Sequence, residues 1–226
     1  MGATLIILTL NEREGVEKML PLIPSGAVEE ILCVDGGSTD GTIEFLREKG
    51  VRVVGQPRRG RGEAFRVAVR EARHDVLVMF SPDGNEDPAD VPRLRAAVES
   101  GADLAIASRM MKGAFNEEDT EFLKWRKWAN QTFTLIANAL YNRRGPYITD
   151  TINGYRAFKK ATFEALNPDG EGYTIEYQMS IRAMKKRLNI VEIPTHEGQR
   201  YGYSKAGSIP TGLRMLKLLS REMWGG

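Results

Sequence analysis

Five short apolar runs alternate with helix-like segments through the first half of the chain, and this rhythm restricts the fold more than any other feature. The runs are Thr4–Leu8, Ile31–Val34, Val51–Val54, Val76–Phe80 and Leu104–Ala107, and between them lie Gly15–Leu20, Thr42–Lys49, Gly62–Ala72 and Val91–Glu99. Strands and helices alternating at this spacing predict βαβ units on a mostly parallel sheet with helices on both faces. Local punctuation agrees: Asp87-Pro88 offers an N-cap followed by a first-turn proline, and Gly101 follows the last turn of Val91–Ser100.

Past Arg109 the rhythm changes. A charged loop through Asp119 leads into a long helical pattern, Glu121–Tyr141, in which Phe122, Trp125, Ala129, Phe133, Ile136 and Leu140 form one apolar stripe. The remainder predicts a strand Tyr155–Lys159, a helix Ile175–Arg187, a strand Ile190–Ile193 and a final helix Ile209–Trp224.

A chain of 226 residues, 42% of them hydrophobic, can bury a full core in one compact unit. Its 32 basic and 30 acidic residues leave a formal net charge of +2, so no nucleic-acid partner is expected and any basic surface is local. Cys33, the only cysteine, excludes intrachain disulfides and reads as a buried packing thiol of a reducing, cytoplasmic compartment. With no run of 18 apolar residues and no signal-peptide order at the N-terminus, the chain is not expected to span a membrane.

Two strand ends carry the candidate chemistry. Ile31–Val34 runs into Asp35-Gly36-Gly37-Ser38-Thr39-Asp40-Gly41-Thr42, which sets a carboxylate and backbone N–H groups at a sheet edge, and Ser38 or Asp40 is placed to cap the next helix. Val76–Phe80 runs into Ser81-Pro82-Asp83-Gly84-Asn85-Glu86-Asp87-Pro88, a second acidic loop of the same kind. Two such edges facing one crevice suit phosphates and a Mg²⁺ or Mn²⁺ cation, and Asp83 and Asn85 are spaced to reach one ion.

In order along the chain, Thr9-Leu10-Asn11-Glu12, Asp35–Thr42, Gly60-Arg61-Gly62-Glu63-Ala64, Ser108-Arg109 and Asp150-Thr151-Ile152-Asn153-Gly154-Tyr155-Arg156 resemble the successive motifs of family 2 glycosyltransferases. The resemblance covers nearly the whole chain and is nearest to the dolichol-phosphate mannose synthase branch. It implies a GT-A fold, a Rossmann-like α/β domain of the nucleotide-diphospho-sugar transferase kind, over residues 1–226. Residues 1–110 would form the nucleotide-sugar half and 111–226 the acceptor half, ending in an amphipathic helix. It further implies an inverting transfer of a hexose from a nucleotide sugar, GDP-mannose or UDP-glucose, to a polyprenyl or dolichyl phosphate.

Residue by residue, the resemblance implies that Thr9, Asn11 and Glu12 border the nucleotide, that Asp35 and Gly37 meet its base or ribose side, and that Asp83 supports a metal-bound diphosphate. Arg109, Arg156 and Arg200 would face phosphates of the donor or acceptor, with Arg109 and Arg156 assigned to the acceptor. Arg61 lies in a basic loop near the diphosphate, and Arg200 and Lys205 belong to a late loop, His196–Lys205, that resembles the family's lid; Gly198 and Gly202 would give it mobility. One departure stands out: the family's Asp-x-Asp metal motif aligns with Ser81-Pro82-Asp83, so a neutral hydroxyl replaces the first acid and should weaken metal binding.

A phosphate acceptor is already an anion and needs alignment more than a base; a hydroxyl acceptor would need one, and Asp150 is then the candidate. In Ile209–Trp224, Arg214, Lys217 and Arg221 share one face and Leu216, Leu219 and Met223 another, a pattern shared by helices at the cytosolic face of a membrane and helices docked on their own core or on another subunit. A non-catalytic nucleotide-sugar or lipid-phosphate binding protein is the alternative that Ser81 supports. Sugar, base, lipid and oligomeric state stay open at this level.

Overall fold

The computed structural model describes residues 1–201 and 208–224. Strands β1 (Ala3–Thr9), β2 (Glu30–Asp35), β3 (Arg52–Gly55), β4 (Val76–Phe80) and β5 (Leu104–Ser108) alternate with helices α1 (Arg13–Met19), α2 (Thr42–Glu48), α3 (Arg61–Glu71) and α4 (Val91–Glu99). Each matches a predicted segment to within two residues at most ends. After α5 (Trp125–Tyr141) come β6 (Arg156–Lys159), α6 (Lys160–Leu166), α7 (Ile175–Lys185), β7 (Ile190–Pro194) and α8 (Ser208–Trp224). The short α6 was not anticipated.

One seven-stranded sheet has the order β3-β2-β1-β4-β6-β5-β7. Every neighbouring pair is parallel except those of β6, which lies antiparallel between β4 and β5. A strand of the second half is thus inserted between two strands of the first, so the halves share one sheet. Alternation along the strands divides the core in two. Leu5, Ile7, Cys33, Val78, Phe80 and Ala105 face α1, α2 and α4, whereas Ile6, Leu32, Val34, Leu77, Met79 and Ile106 face α3, α5, α6, α7 and α8. Cys33 is fully buried, and desolvation pushes its thiol up to about 12, against the hydrogen bond with Thr9, which keeps it unreactive.

Helix α5 begins at Trp125 rather than Glu121, because Asn116 and Asp119 form a capping box around a 3₁₀ turn at Glu117–Thr120 and break the run. Its buried face is partly polar. Thr134 and Asn138 are inside, their side chains bonded to the Thr151 hydroxyl and the Ile148 carbonyl, while Phe133 and Ile136 pack at the edge. Phe122 and Trp125, the first two members of the expected stripe, are 95% and 50% exposed.

Helix α8 docks on the chain's own core through Met215, Leu218 and Leu219, and Glu222 on the same face is tied by Gln178, Arg182 and Lys185. Leu213, Leu216, Met223 and Trp224 point away from that face into solvent. The apolar face expected from Leu216, Leu219 and Met223 is therefore divided, Leu219 inward and the other two outward.

Candidate active site

A crevice of about 530 Å³ opens at the C-terminal ends of β1 and β4, where βα loops leave backbone N–H groups and polar side chains uncovered. Thr9 and Glu12 line it from the end of β1, Arg59, Gly60 and Arg61 from the start of α3, and Ser81, Asp83, Asn85 and Glu86 from the loop after β4. Arg109 follows β5, Arg126 and Lys127 come from α5, and Arg200 and Arg214 close the far side. Residues of both halves meet in this space.

The first acidic loop is a self-contained turn that meets the crevice wall at Gly36, with Asp35 and Gly37 set back from it. Asp35 is 1% exposed and accepts hydrogen bonds from the Thr9 hydroxyl (2.7 Å) and from the N–H groups of Gly37 and Ser38 (both 2.8 Å). Burial opposes its ionisation, but these donors outweigh burial and hold the carboxyl below its ordinary range. Asn11, in the left-handed region at φ 52°, accepts the Thr39 N–H, and Asp40 accepts the N–H groups of Arg13 and Thr42. Asp35, Gly37 and Asn11 thus shape the turn, while Thr9 and Glu12 reach the crevice.

The second acidic loop forms the floor. Asn85 is 4% exposed; its Nδ2 donates to Glu117 at 2.8 Å, which fixes the amide orientation and leaves Oδ1 buried with no partner. An orphaned hard oxygen next to Asp83, whose Oδ1 accepts the Asn85 N–H at 3.3 Å, fits a Mg²⁺- or Mn²⁺-type cation. Among the described residues no three His, Cys, Asp or Glu form a metal-holding group, so such an ion would rely on substrate phosphates for its remaining ligands. At Ser81 the hydroxyl accepts from Arg61 Nη1 at 3.2 Å and the N–H donates to Glu86 Oε2 at 2.7 Å. Glu86, which the sequence reading passed over, brings a second carboxyl to the place the serine leaves neutral; desolvation and then Asp83 push it up to about 8. Arg61 is itself anchored by a buried ion pair with Glu176.

Arg109 sits in a carboxylate cradle. Its Nε and Nη2 bind Asp150 at 2.6 and 3.0 Å in a bidentate pair, and Nη1 lies 3.5 Å from Glu197. Asp150 is 1% exposed, lies behind Arg109 away from the crevice and also accepts the Asn153 N–H at 3.0 Å. Burial opposes its ionisation, yet Arg109 and these hydrogen bonds overcome it and hold the carboxyl below its ordinary range. That is a poor setting for a general base and a good one for fixing a guanidinium. Glu197 lines the crevice; desolvation raises its carboxyl against the pull of Arg109.

Arg156 does not reach the crevice. It is fully buried and donates to the Asn153 carbonyl (2.9 Å) and the Glu176 carbonyl (2.9 Å), tying β6 to α7, while desolvation, against the pull of Glu176, brings it down to about 10. The expectation of a phosphate-facing Arg156 fails because strand alternation turns the side chain to the α7 face, opposite Tyr155.

The late loop covers the second acidic loop. Arg200 forms an ion pair with Asp83, Gly198 N–H donates to the Asn85 carbonyl at 3.1 Å, and Tyr201 N–H to the Asp83 carbonyl at 2.6 Å. Gly198 serves this approach rather than mobility: a Cβ there would lie 2.5 Å from the Gly84 carbonyl, and one on Gly84 2.5 Å from the Gln199 carbonyl. His196 stacks on Phe115, 6.2 Å between ring centres. Lys205, with Gly202, lies outside the described residues. Arg126, Lys127 and Arg214 also line the crevice, Arg126 paired with Glu117 and Glu118 and Lys127 with Asp119.

The glycosyl transferase family 2 model matches residues 4–166. Glycosyltransferase AglJ of Haloferax volcanii is 28% identical over 83% of this chain, which spans only 60% of that protein. A polyprenol monophosphomannose synthase of Mycolicibacterium smegmatis is 30% identical over 98% of this chain and 86% of its own length. Among solved structures, glucosyl-3-phosphoglycerate synthase of Mycobacterium tuberculosis, in complex with Mn²⁺, UDP and glucosyl-3-phosphoglycerate, superimposes with a TM-score of 0.75, covering 97% of this chain and 79% of that one at 22% identity.

Proposed function

The chain belongs to glycosyl transferase family 2, and on that premise we propose that it moves a hexosyl unit, with inversion, from a nucleotide sugar to a polyprenyl phosphate at the cytosolic face of a membrane. The observation that carries this reading is a crevice lined by charges of both signs, with an apolar rim. Asp83, Glu86 and the unpartnered Asn85 oxygen line the crevice together with Arg109, Arg126 and Lys127, each of these cations held by carboxylates (Asp150 and Glu197, Glu117 and Glu118, and Asp119 respectively), and Trp125 and Trp128 flank them at about half exposure. A sugar nucleotide needs the first group, a lipid-borne phosphate the cations and the tryptophans. The M. smegmatis relative, named for a polyprenol product, supports the acceptor class.

In this account residues 1–110 grip the donor and 111–226 the acceptor, with Arg109 at the end of the first half turned to the acceptor. Thr9, Glu12 and Arg61 border the donor, and Asp83 with Asn85 would hold a divalent cation. That cation would supply positive charge to the donor's diphosphate. The acceptor phosphate oxygen forms the new bond to the anomeric carbon from the face opposite the diphosphate, which leaves with the electron pair of the broken C–O bond. Because the attacking oxygen is already anionic, the protein's task is alignment and exclusion of water. Arg109, held in one orientation by Asp150, suits that task, since a planar guanidinium can grip two phosphate oxygens.

No helix among the described residues is long and apolar enough to cross a membrane. The proposed membrane contact is peripheral, through the exposed apolar residues of α5 and α8. The test is substitution of Arg109 by Ala: transfer to polyprenyl phosphate should fall at least tenfold while nucleotide affinity, measured by calorimetry, is kept. Retention of acceptor transfer by that variant would remove Arg109 from the account. A hydroxyl acceptor is the second reading, favoured by Glu197, a crevice-lining carboxyl of raised pKa that could take a proton.

A further inference from the structure

A second cavity, of about 540 Å³, lies away from the crevice between the end of α5 and the α7–β7 connection. Arg143, Arg144 and Arg187 line it, and none of the three has a carboxylate partner among the described residues. Lys185 also lines it but is bound to Glu222. Of the nearby carboxylates, Glu222 is engaged by Lys185, Arg182 and Gln178, and Asp103 accepts the Asn189 N–H at 2.8 Å. Arg187 holds a left-handed backbone, φ 56°, at the end of α7, a position where glycine would fit without strain.

The placement of this cavity is informative. Helix α5 runs from Arg126 and Lys127 at the crevice to Tyr141 at the cavity, a length of about 25 Å for its 17 residues. Helix α8 follows it, with Arg214 at the crevice and its far end beside the cavity, where Tyr141 Oη donates to the Leu219 carbonyl at 3.3 Å and Lys185 to the Glu222 carbonyl at 3.0 Å. Trp128 and Leu135 on α5, and Leu216, Met223 and Trp224 on α8, are exposed along the stretch between the two openings. Exposed apolar residues, tryptophans among them, on two helices that run from one arginine-lined opening to the other suit a membrane surface, where acyl chains lie beside charged headgroups.

We propose that the cavity at Arg143, Arg144 and Arg187 is a binding site for the phosphate headgroup of an anionic phospholipid, holding α5 and α8 flat on the bilayer while the crevice takes its acceptor at the other end. The inference rests on the membrane-surface part of the reading above and adds a site distinct from the crevice. Clustered unpaired arginines near exposed aromatic residues attract anionic lipid, with each cation worth about a fivefold gain at such a surface.

The experiment is vesicle flotation of the full chain with phosphatidylcholine alone and with equimolar phosphatidylcholine and phosphatidylglycerol, for wild type and for Arg143→Gln/Arg144→Gln/Arg187→Gly. The Arg187→Gly change fits the left-handed backbone, and circular dichroism with unchanged nucleotide affinity confirms the fold. Wild type should prefer phosphatidylglycerol vesicles on the order of a hundredfold, and the variant should lose that preference while still binding neutral vesicles as wild type does. A variant that keeps the preference overturns the site. Abolition of the preference by millimolar inorganic phosphate would mark a free-phosphate site and overturn the lipid assignment. Wild type that floats with neither vesicle defeats the membrane reading along with this inference. Loss of preference in the variant, with no transfer to polyprenyl phosphate in detergent by wild type, would keep the headgroup site and defeat only the acceptor assignment.

Discussion

Replacing Asp150 by Asn separates a base from a strut. The wild-type pair is bidentate, at 2.6 and 3.0 Å, with side chains only 14% and 2% exposed for Arg109 and Asp150. Breaking a buried ion pair from one side commonly costs about 3–5 kcal/mol, because the remaining charge is left uncompensated. Here Glu197 stays 3.5 Å from Arg109 and Asn can still accept one hydrogen bond, so the lower end, about 3 kcal/mol, is expected. For a chain of 226 residues that is a fall in Tm of about 6–12 °C. The pH dependence has a definite sign. A carboxyl whose folded pKa lies below its unfolded value contributes stability that is present above about pH 4 and is lost as pH falls through the folded pKa. The gap between wild type and Asp150→Asn in urea unfolding should therefore stay near 3 kcal/mol from about pH 8 to pH 5 and close only in stronger acid. A variant as stable as wild type but devoid of transfer would refute this reasoning and restore Asp150 as a general base.

Arg156→Met should cost about 3 kcal/mol or more in urea unfolding, since it strands the Asn153 and Glu176 carbonyls in the core, while nucleotide affinity below the melting range stays within twofold. Asp83→Ala should remove the metal dependence of nucleotide binding; calorimetry showing equal wild-type affinity with and without Mn²⁺ would contradict the assigned ligand. Ser81→Asp places a third carboxyl beside Asp83 and Glu86 and should tighten Mn²⁺ binding, whereas unchanged or weaker binding would show that position 81 does not face the ion. Gly84→Ala, at φ 93° and against the Gln199 carbonyl, should lift the 198–201 segment and expose it to limited proteolysis.

Strands β1, β4 and β5 were legible because they are short, almost wholly apolar and buried along their whole length, a pattern that hardly depends on tertiary context. The antiparallel insertion of β6 was not, since Arg156–Lys159 holds two charged residues and its direction is set by neighbours remote in sequence. At the site, the ends of β1, β2, β4 and β5 announced Thr9, Asp35, Asp83 and Arg109 as chemistry-bearing residues. The sequence did not reveal which carboxylates are engaged inside the protein. Asp35 and Asp83 follow strands in the same way, yet one is enclosed by its own turn and the other faces the crevice. Glu197 acquires its place only when the loop after β7 docks on Phe115 and Arg109, more than eighty residues away, and Glu86 when its own loop folds back on the Ser81 N–H. Helix α8 read correctly as amphipathic, but its two apolar faces, one docked and one exposed, overlap in the linear pattern.

The central claim is tested most directly by incubating the purified chain with Mn²⁺ or Mg²⁺ and radiolabelled GDP-mannose or UDP-glucose, with a polyprenyl phosphate in vesicles, and partitioning the products between organic and aqueous phases. The account predicts label in the organic phase, released by mild acid as free sugar, with one of the two donors preferred and with the signal lost in Asp83→Ala and Arg109→Ala. Label appearing only on a water-soluble hydroxyl acceptor such as phosphoglycerate, or transfer to the lipid that survives both substitutions, would contradict it.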